Sequence, residues 1–408
     1  VVKEAQRLGV YVIVVDDQKT GVSKEIANES HIVSTTDIDG LKALINEKGI
    51  DGVFCGPSEF NIKNTMNICQ VCNLPFYATK EQWEICSNKV KFKELCKKFN
   101  VPVIPDFYLT EEFSQEDLDK ITFPVLVKPV DSGGSRGMSL CGNKDELKVA
   151  IPIALASSIS KQFIVEKYIT NDHGFGCRYI ANDGEIYLTA ANDRYTVDMS
   201  GGKAMISNVA LFPSKKIDYY MEKINPNVID MFKSIGIKNG SFFMQALVDG
   251  DDQIHFHEMG LRLSGGMVYK MFETTCGFND LEMMIRYSLG EQFATDEEVK
   301  KINPFFNGYH TGSLCIPLRV GKIGKIAGLE TIKNDSMVLG LMQYYKEGDE
   351  ITDEDIGNLA QLFCRIKLIA NNKKEFTEKI NWLQNTLLIE DKNGRDMIYR
   401  YFDTNRLT

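Results

Sequence analysis

A hairpin signal at residues 240–266, GSFFMQALVDGDDQIHFHEMGLRLSGG, sets the tightest limit on how this chain can fold. Residues 241–248 alternate as a strand does, the acidic run that follows supplies turn chemistry, and residues 253–259 form the returning strand. Pairing centred near Asp251 and Asp252 places Gln245 opposite Glu258, and directly opposed side chains share a face. An amide oxygen and a carboxylate oxygen are therefore predicted to converge.

These two oxygen ligands suit a hard divalent ion such as Mg²⁺. Arg262 follows Glu258 on the same alternating face if the strand continues, which places a permanent cation beside the pair. Zinc is not predicted, because His255 and His257 point to the face opposite Glu258, and both histidines are predicted to pack within the strand. The alternative is that a polar pair and an exposed arginine occur here without binding anything.

The overall composition is that of a globular protein with two to four domains. Of 408 residues, 43% are hydrophobic and 25% charged, and the net charge of −9 gives no overall field that attracts nucleic acid or anionic lipid. No apolar run reaches the length of a membrane span and no signal peptide is visible. Ten cysteines without a disulfide-like framework favour reduced thiols and a cytoplasmic location.

The N-terminal part alternates helix and strand, which predicts a parallel sheet covered by helices. We predict helices at residues 1–8 and 41–48 and strands at 11–15 and 52–55. This part is interpreted as a scaffold, and because the chain starts within a helix, we expect a further strand and glycine-rich turn before Val1.

Two lysines and a glycine-rich loop form a candidate phosphate site. A lysine-rich helix is predicted at residues 83–99, and Lys89 at its start is the candidate to turn inward, where the helix dipole favours anions. The buried-looking strand FPVLVKP, residues 123–129, carries Lys128, which is costly there unless it meets an anion. The loop DSGGSRGM, residues 131–138, lets backbone N–H groups approach phosphate oxygens closely. A mobile hairpin loop is the alternative for this segment.

Two further segments carry candidate ligand contacts. The strand FIVEKYI, residues 163–169, is either an exposed edge strand or a hinge next to a nucleotide. In a hinge, the backbone and Glu166 would form hydrogen bonds with a purine, and Tyr168 and Ile169 would pack against the base. Residues 192–203, NDRYTVDMSGGK, are predicted to form a substrate-side loop in which Arg194 is available for a carboxylate. Strands at residues 309–319, 322–326, 342–345 and 363–369 and a helix at 374–385 predict a compact α+β appendage.

Taken in order, Lys89, FPVLVKP, the DSGGSRGM loop, VEKYI and MQALVDG…HEMGLRLSGG resemble the ATP-grasp superfamily. The segment 258–290 and EDKNGRDMIY near the C-terminus are most similar to carboxylate–amine ligases of the L-amino acid ligase type, close to the carbamoyl phosphate synthetase large subunit. The resemblance implies an α/β and α+β protein with an N-terminal pre-ATP-grasp domain at 1–82, an ATP-grasp domain of two lobes at 83–295 with its lid lobe at about 120–190, and a C-terminal α+β domain at 296–408.

The resemblance also implies roles for residues. Arg262 and Lys128 would be catalytic, and Gln245 and Glu258 would bind Mg²⁺ or Mn²⁺. The ATP contacts would come from Lys89, Lys128, Ser132, Gly133, Gly134, Ser135, Gly137, Glu166, Lys167, Tyr168 and Ile169. The substrate contacts would come from Arg194, Arg262, Ser264, Gly265 and Gly266. Gly260 departs from the family pattern, which has a metal-binding asparagine there, and the expected acidic ribose ligand is replaced near residues 173–176.

The function implied is that of an ATP-dependent carboxylate–amine ligase, which forms a carbon–nitrogen bond through an acyl-phosphate. The alternatives are an ATP-dependent carboxylase or carbamoyl-phosphate-type synthetase that activates bicarbonate, and a nucleotide-binding protein without turnover, which Gly260 keeps open. The expected partners are small-molecule carboxylate and amine substrates and, as one option, a second copy of the chain. Neither nucleic acid nor a membrane is expected as a partner.

Overall fold

In this computed structural model the described residues are 1–107, 109, 114–132, 136–170, 173–197, 206–357 and 359–407, with only the backbone described at 197 and 206. They form a mixed α/β structure with four sheets. Within these ranges, none of the helices has the length and apolar character that crossing a membrane requires.

The N-terminal part contains a small parallel sheet and several helices. Its elements are α1 (Val2–Arg7), β1 (Ile13–Asp16), α2 (Val22–Ile26), β2 (Glu29–Ile32), α3 (Ile38–Lys48), α4 (Glu59–Cys72), α5 (Lys80–Ser87) and α6 (Lys89–Lys98). Strands β1 and β2 pair in parallel, which confirms a parallel sheet in this part, but the strand at Glu29–Ile32 was not predicted and residues 52–55 form no strand. The single helix predicted at 83–99 is divided, because the Asn88 side chain accepts hydrogen bonds from the N–H groups of Val90 and Lys91 and so caps α6.

A four-stranded antiparallel sheet follows, in the order β3-β6-β4-β5. Its elements are β3 (Asp106–Phe107), α7 (Gln115–Asp119), β4 (Val125–Pro129), β5 (Ser139–Cys141), α8 (Lys144–Ser157) and β6 (Phe163–Lys167). Leu147 and Ala150 of α8 pack on Val125, Val127 and Val165 of the sheet. The last strand of this sheet ends at Lys167, and β7 and β8, which follow it, belong to the largest sheet, so the limit of the lid lobe at about 190 stays a prediction.

The largest sheet has eight strands in the order β11-β10-β7-β8-β9-β12-β16-β14. The remaining elements in chain order are β7 (His173–Asn182), β8 (Glu185–Val197), β9 (Ile206–Phe212), α9 (Ile217–Lys223), α10 (Asn225–Ser234), β10 (Gly240–Val248), β11 (Ile254–Gly260), α11 (Val268–Thr275), α12 (Asp280–Ser288), α13 (Asp296–Lys300), β12 (His310–Pro317), β13 (Gly321–Ala327), α14 (Leu329–Lys333), β14 (Val338–Gln343), β15 (Glu350–Ile351), β16 (Leu362–Ala370), α15 (Lys373–Thr386) and β17 (Leu388–Asp391). Strands β12, β16 and β14 come from the predicted C-terminal appendage, which therefore shares this sheet.

The two faces of the large sheet have different environments. On β10, Phe242, Met244 and Ala246 belong to a core cluster that also contains Phe92 of α6 and Val228 of α10. The alternate residues of the same strand point to the other face, because successive side chains in a strand alternate. That second face carries Gln245 and most of the candidate functional residues described below.

Candidate active site

The β10–β11 hairpin places Gln245 directly opposite Glu258, as the sequence predicted. Opposed side chains of an antiparallel pair share a face, so the amide and the carboxylate lie side by side. His255 contacts Asp249 at the turn, with 2.7 Å between Nε2 and Oδ2. This contact fits the structural role predicted for His255, but the pairing of His255 with Leu247 puts it on the face of Gln245 and Glu258 and not on the predicted opposite face.

A β-bulge next to this pair changes the position of His257. Gln245 pairs with Glu258 but its neighbour Ala246 pairs with Phe256, so His257 is the extra residue on β11, and bulges redirect side chains. Burial first, and then the nearby cations, hold the pKa of His257 well below its usual range; the cations are Lys128, Arg194, Lys89 and Lys93. The alternation that placed His257 opposite Glu258 is therefore broken at the bulge, and His257 Nε2 is buried without a hydrogen-bond partner among the described residues. The packing role of His257 stays a prediction.

Glu166 is a fully buried carboxylate that contacts two lysines. Its Oε1 lies 2.5 Å from Lys93 Nζ, and its Oε2 forms an ion pair with Lys128 Nζ. Burial raises the pKa of Glu166, but the two lysines outweigh burial, so the pKa is lowered overall. A hydrogen bond from a purine amino group to the Glu166 side chain does not fit this geometry, because both carboxylate oxygens contact lysines. A contact through its backbone stays a prediction.

Lys93 is the most deeply buried lysine of α6, and the sequence analysis did not single it out. Its side chain is 1% exposed, and Nζ donates to the Ile104 carbonyl oxygen at 2.6 Å. Lys89 and Lys93 are four residues apart, a spacing that puts two side chains on one helix face. This spacing could have identified Lys93 from the sequence, because it places Lys93 on the same helix face as Lys89, which had been predicted to turn inward.

Lys89 contacts the segment that follows β4. Its Nζ donates to the Ser132 carbonyl oxygen at 2.8 Å. Burial lowers the pKa of Lys89, and the next two largest influences are the charges of Glu258, which raises it, and Lys128, which lowers it. Lys89 is therefore near enough to Glu258 and to Lys128 for both charges to influence its pKa.

The glycine-rich segment is described at its two ends. Asp131 Oδ1 accepts a hydrogen bond from Ser158 Oγ at 2.7 Å and so fixes the start. Gly137 has a φ of 72°, and a Cβ there would lie 2.4 Å from the Cβ of Ser157, so no larger residue fits without movement. Three residues predicted to contact phosphate lie outside the described ranges, namely Gly133, Gly134 and Ser135. Phosphate contacts of the whole segment, including Ser132, stay predictions.

A small apolar cluster lies where the sequence predicted the nucleotide base. Ile169 packs with Ile104 and Leu247. Leu247 lies two residues after Gln245 on β10 and therefore on the same sheet face. The N–H groups of Lys167 and Tyr168 donate to backbone carbonyls of the protein. An apolar slot close to the cations is the environment that a purine ring would need, and base contacts here stay predictions.

Arg194 lies on strand β8 rather than in the loop predicted at 192–203, of which residues 198–203 are outside the described ranges. Its Nη1 donates to Gln245 Oε1 at 3.2 Å. Burial lowers the pKa of Arg194, and the charge of Glu258 opposes this effect. The guanidinium is therefore next to the Gln245 and Glu258 pair, and a contact with a substrate carboxylate stays a prediction.

Arg262 is held by the N-terminal part of the chain, which had been interpreted only as a scaffold. Its Nη2 donates to Glu59 Oε1 at the start of α4, and its Nη1 donates to the Leu263 carbonyl oxygen, both at 3.1 Å. The guanidinium carbon lies 5.0 Å from the centre of the Phe243 ring, a cation–π arrangement. These contacts fix Arg262 just after the end of β11.

The same phenylalanine occupies the space next to Gly260, the position where the sequence departs from the family pattern. A Cβ on Gly260 would lie 2.6 Å from two carbons of the Phe243 ring. A metal-binding side chain at position 260 is therefore excluded as long as this ring keeps its place.

We expect Gly260→Asn to lower the free energy of unfolding by about 1–3 kcal/mol, because overpacking forces the ring to move. Urea unfolding of this variant, of Phe243→Ala and of the double variant measures the effect. The double variant should lose less than the sum of the two single losses, because removing the ring frees the space that asparagine needs. Strictly additive losses would show that the two positions do not compete for space.

The segment 264–266, predicted to contact substrate, lies beside basic side chains that the sequence analysis did not find. Ser264 Oγ accepts a hydrogen bond from Arg178 Nε at 3.1 Å. A Cβ on Gly266 would lie 3.2 Å from Arg365 Nη1 and 3.8 Å from Lys367 Cε. Because these cations come from β7 and β16, no local sequence signal connects them with residues 264–266.

The residues present fit a magnesium ion that is shared with nucleotide phosphates. Mg²⁺ usually keeps several waters and binds one or two carboxylates together with substrate phosphates, which matches the single carboxylate of Glu258 and the amide of Gln245. Among the described residues, no three His, Cys, Asp or Glu side chains are grouped for metal binding. A closed metal site built only from these side chains is therefore not present.

Comparison with known proteins identifies the family. Residues 88–295, just over half of the chain, match the family described as "Carbamoyl-phosphate synthase L chain, ATP binding domain". The chain belongs to this ATP-grasp family. The prediction of an ATP-dependent enzyme of the ATP-grasp superfamily is thereby confirmed. The individual relatives have low sequence identity to this chain.

The formate-dependent phosphoribosylglycinamide formyltransferase of Sulfurisphaera tokodaii is 22% identical over 74% of this chain and 75% of its own length. That of Methanocaldococcus jannaschii is 27% identical, but the match spans only 45% of it. The 2-oxoglutarate carboxylase small subunit of Hydrogenobacter thermophilus is 22% identical over 76% of this chain and 67% of its own length. The crystal structure of an L-amino acid ligase from Bacillus licheniformis has a TM-score of 0.77 at 20% identity and covers 96% of this chain and 95% of its own. This last likeness confirms the fold.

Proposed function

We propose that the protein is an ATP-dependent carboxylate–amine ligase that activates an acid as an acyl-phosphate and releases ADP and phosphate. The observation that carries the proposal is a set of contacts between the two sheets: Lys128 pairs with Glu166 of β6, and Ile169, just after β6, packs on Leu247 of β10, two residues after Gln245. The lysine of β4 and the metal-binding pair of the hairpin therefore face one site. Such a site suits a nucleotide whose base lies near Ile169 and whose phosphates reach Glu258.

In the proposed first step, Lys89 and Lys128 hold the phosphates while an oxygen of the substrate carboxylate attacks the γ-phosphorus. The bond from that phosphorus to the β-phosphate oxygen breaks, and ADP leaves with the electron pair. Mg²⁺ or Mn²⁺, when bound by Glu258 and Gln245, would offset negative charge on the phosphoryl oxygens. Fixed cations near developing charge and correct positioning supply most of the rate in phosphoryl transfer.

In the proposed second step, an amine attacks the acyl carbon, phosphate leaves, and the amine loses a proton. Arg262 is the residue we propose to stabilise the oxyanion of the tetrahedral intermediate. Its contacts with Glu59 and Phe243 fix its orientation in advance, which is what electrostatic stabilisation requires. Lys128 and Arg262 are thus the proposed catalytic residues.

An acid substrate other than bicarbonate is supported by the named relatives. The formyltransferases are named as formate-dependent, so a carboxylic acid is used in proteins of related sequence. The second candidate function is an ATP-dependent carboxylase, because a 2-oxoglutarate carboxylase is a relative and its biotin carboxylase domain is described bound to bicarbonate. In that case bicarbonate is the acid that is activated.

ADP release by the purified protein with Mg²⁺ and ATP tests the proposal. Panels of amino acids and small carboxylates are supplied with and without amines, and bicarbonate is supplied alone. We expect ADP release that needs both an acid and an amine, with an amide product detected by mass spectrometry. ADP release with bicarbonate alone would favour the carboxylase, and ATP binding without turnover under any condition would favour a nucleotide-binding protein.

Three broader proposals accompany this function. The boundaries near residues 82 and 295 are kept as proposed domain limits. All ten cysteines are free thiols, which fits the proposed cytoplasmic location. A homodimer is proposed as one option, and the mass of the particle in solution, measured by light scattering, decides it.

A further inference from the structure

Three cations gather beside the segment 264–266. Arg178 Nε donates to Ser264 Oγ at 3.1 Å. Arg365 Nη1 and Lys367 Cε lie 3.2 and 3.8 Å from the position that a Cβ on Gly266 would occupy. The glycine thus leaves room for two basic side chains to lie against the backbone just after Arg262. We call Arg178, Arg365 and Lys367 the basic cluster.

The basic cluster lies on the same face of the large sheet as the metal-binding pair. Strand pairing carries this face across the sheet, since directly opposed side chains share a face. Arg178 on β7 lies on the same face as Gln245 on β10, and Arg194 on β8 lies on this face as well. Arg194 pairs with Ala210, Ala210 pairs with Ser313, and Ser313 pairs with Lys367, so Lys367 lies on that face too. Arg365 lies two residues before Lys367 on β16 and so points the same way.

The basic cluster carries more positive charge than its described surroundings neutralise. Lys367 is 4% exposed; burial lowers its pKa to about 7, with Arg178 and Arg365 lowering it and Cys315 opposing them. In the described ranges neither the Arg365 nor the Lys367 side chain has a hydrogen bond or an ion pair, and Arg365 Nε is buried without a partner. Buried cations without partners are costly, so an anion would be bound strongly.

The acids closest to this cluster do not neutralise it. Burial lowers the pKa of Arg178 to about 10, and Asp280 is the carboxylate whose charge opposes that effect. Asp280 itself has a pKa raised to about 6 by burial, and its Oδ2 accepts a hydrogen bond from Ser241. Arg178 Nη1 donates to the amide oxygen of Asn192 at 2.7 Å, which is a neutral partner.

We propose that Arg178, Arg365 and Lys367 bind a second acidic group of the acid substrate, in addition to the carboxylate that reacts. The substrate class is then a dicarboxylic acid, with or without an amino group, or a carboxylic acid that carries a phosphate. This inference rests on the proposed function, because it names the substrate of the same site. The planar forks of two arginines and the point charge of a lysine suit either acidic group.

Calorimetric binding in the presence of a non-hydrolysable ATP analogue and Mg²⁺ tests the proposal. Succinate, glutarate, aspartate and glutamate are compared with butyrate, valerate, alanine and leucine, and phosphoserine is a separate arm. We expect at least one diacid or phosphoserine to bind about 10- to 100-fold more tightly than the matched monoacid, the range that a hydrogen bond to a charged group provides. Equal affinity of all monoacids and diacids would overturn the proposal.

Lys367→Met is the decisive variant, because it removes one charge and keeps most of the side-chain volume. It should lower the affinity for the bound diacid or phosphoserine by about 10- to 100-fold and leave binding of the ATP analogue unchanged. Its unfolding temperature without ligand should not fall, since a buried cation is lost. Lys322→Met on β13 makes the same change at an exposed position and should have no effect. Unchanged diacid binding by Lys367→Met would contradict the assignment.

The two proposals can fail separately. Diacid binding that depends on Lys367, without ADP release from any acid and amine, would refute the ligase and retain the anion site. ADP release driven equally by monoacids, and unchanged in Lys367→Met, would retain the ligase and refute the anion site.

Discussion

Lys128→Met is expected to lower kcat for ADP release by about 10²- to 10³-fold, the usual loss when one charge-stabilising donor is removed. The variant should also lose about 3 kcal/mol of unfolding free energy, because Glu166 remains buried with one of its two lysines gone. Steady-state ADP release and urea unfolding on the same preparation measure the two effects. Activity must be measured on protein that is shown to be folded.

Two matched variants separate catalysis from stability. Lys93→Met removes the other lysine of Glu166, but Lys93 is 1% exposed and its Nζ also bonds to Ile104, so it does not reach a ligand. It should lose similar stability with a much smaller decrease in kcat. Lys128→Met combined with Glu166→Gln should regain stability without regaining activity. If Lys93→Met loses as much activity as Lys128→Met, then Lys128 acts only through Glu166.

The sequence predicted elements and pairings that depend on neighbouring residues. The β10–β11 hairpin was predictable because both strands and the turn lie within one short stretch, and its centre sets Gln245 against Glu258. Residues 52–55 look like a strand, but pairing depends on a neighbouring strand and not on composition alone.

Contacts between distant parts of the chain could not be predicted locally. The joining of β12, β16 and β14 to the sheet of β7–β11 depends on pairings such as Ala210 with Ser313, which leave no local pattern. Arg365 and Lys367 alternate with apolar residues on β16, so the sequence shows that they share a face but not what that face meets. The basic cluster could therefore be seen only in the folded chain.

Two errors in the site have specific physical causes. His255 was placed on the face opposite Glu258 because strict alternation was assumed, and the extra residue His257 in the bulge reverses that alternation. Glu166 was interpreted either as part of an exposed edge or as a ligand for a purine, but it is fully buried and its carboxylate has partners within the protein. The partners are Lys128 and Lys93, one of them on a helix that precedes the strand by many residues. The rule on buried charge was correct, but the partner was not local.

Glu258→Gln is expected to raise the Mg²⁺ concentration needed for half-maximal ADP release by at least about 10- to 100-fold, because even partners that only orient metal ligands cost that much when removed. The carboxylate of Glu258 has no hydrogen bond or ion pair in the described part of the chain, so this isosteric change should not unfold the protein. Activity measured across a Mg²⁺ titration, at saturating ATP, gives the result. A wild-type titration curve for Glu258→Gln would exclude Glu258 as a metal ligand.

Gln245→Glu is the matched change on the opposite strand, because it adds to the pair the charge that Glu258→Gln removes. Metal affinity rises with the number of charged ligands, so this variant should need less Mg²⁺ than the wild type. Arg194 already donates to Gln245 and would offset the repulsion between two carboxylates. Opposite shifts of the Mg²⁺ requirement in the two variants would place the ion between the two strands. Shifts in the same direction would mean that the variants act by disturbing the hairpin. If the two side chains bind the ion, the Mg²⁺ requirement must rise when a negative charge is removed and fall when one is added.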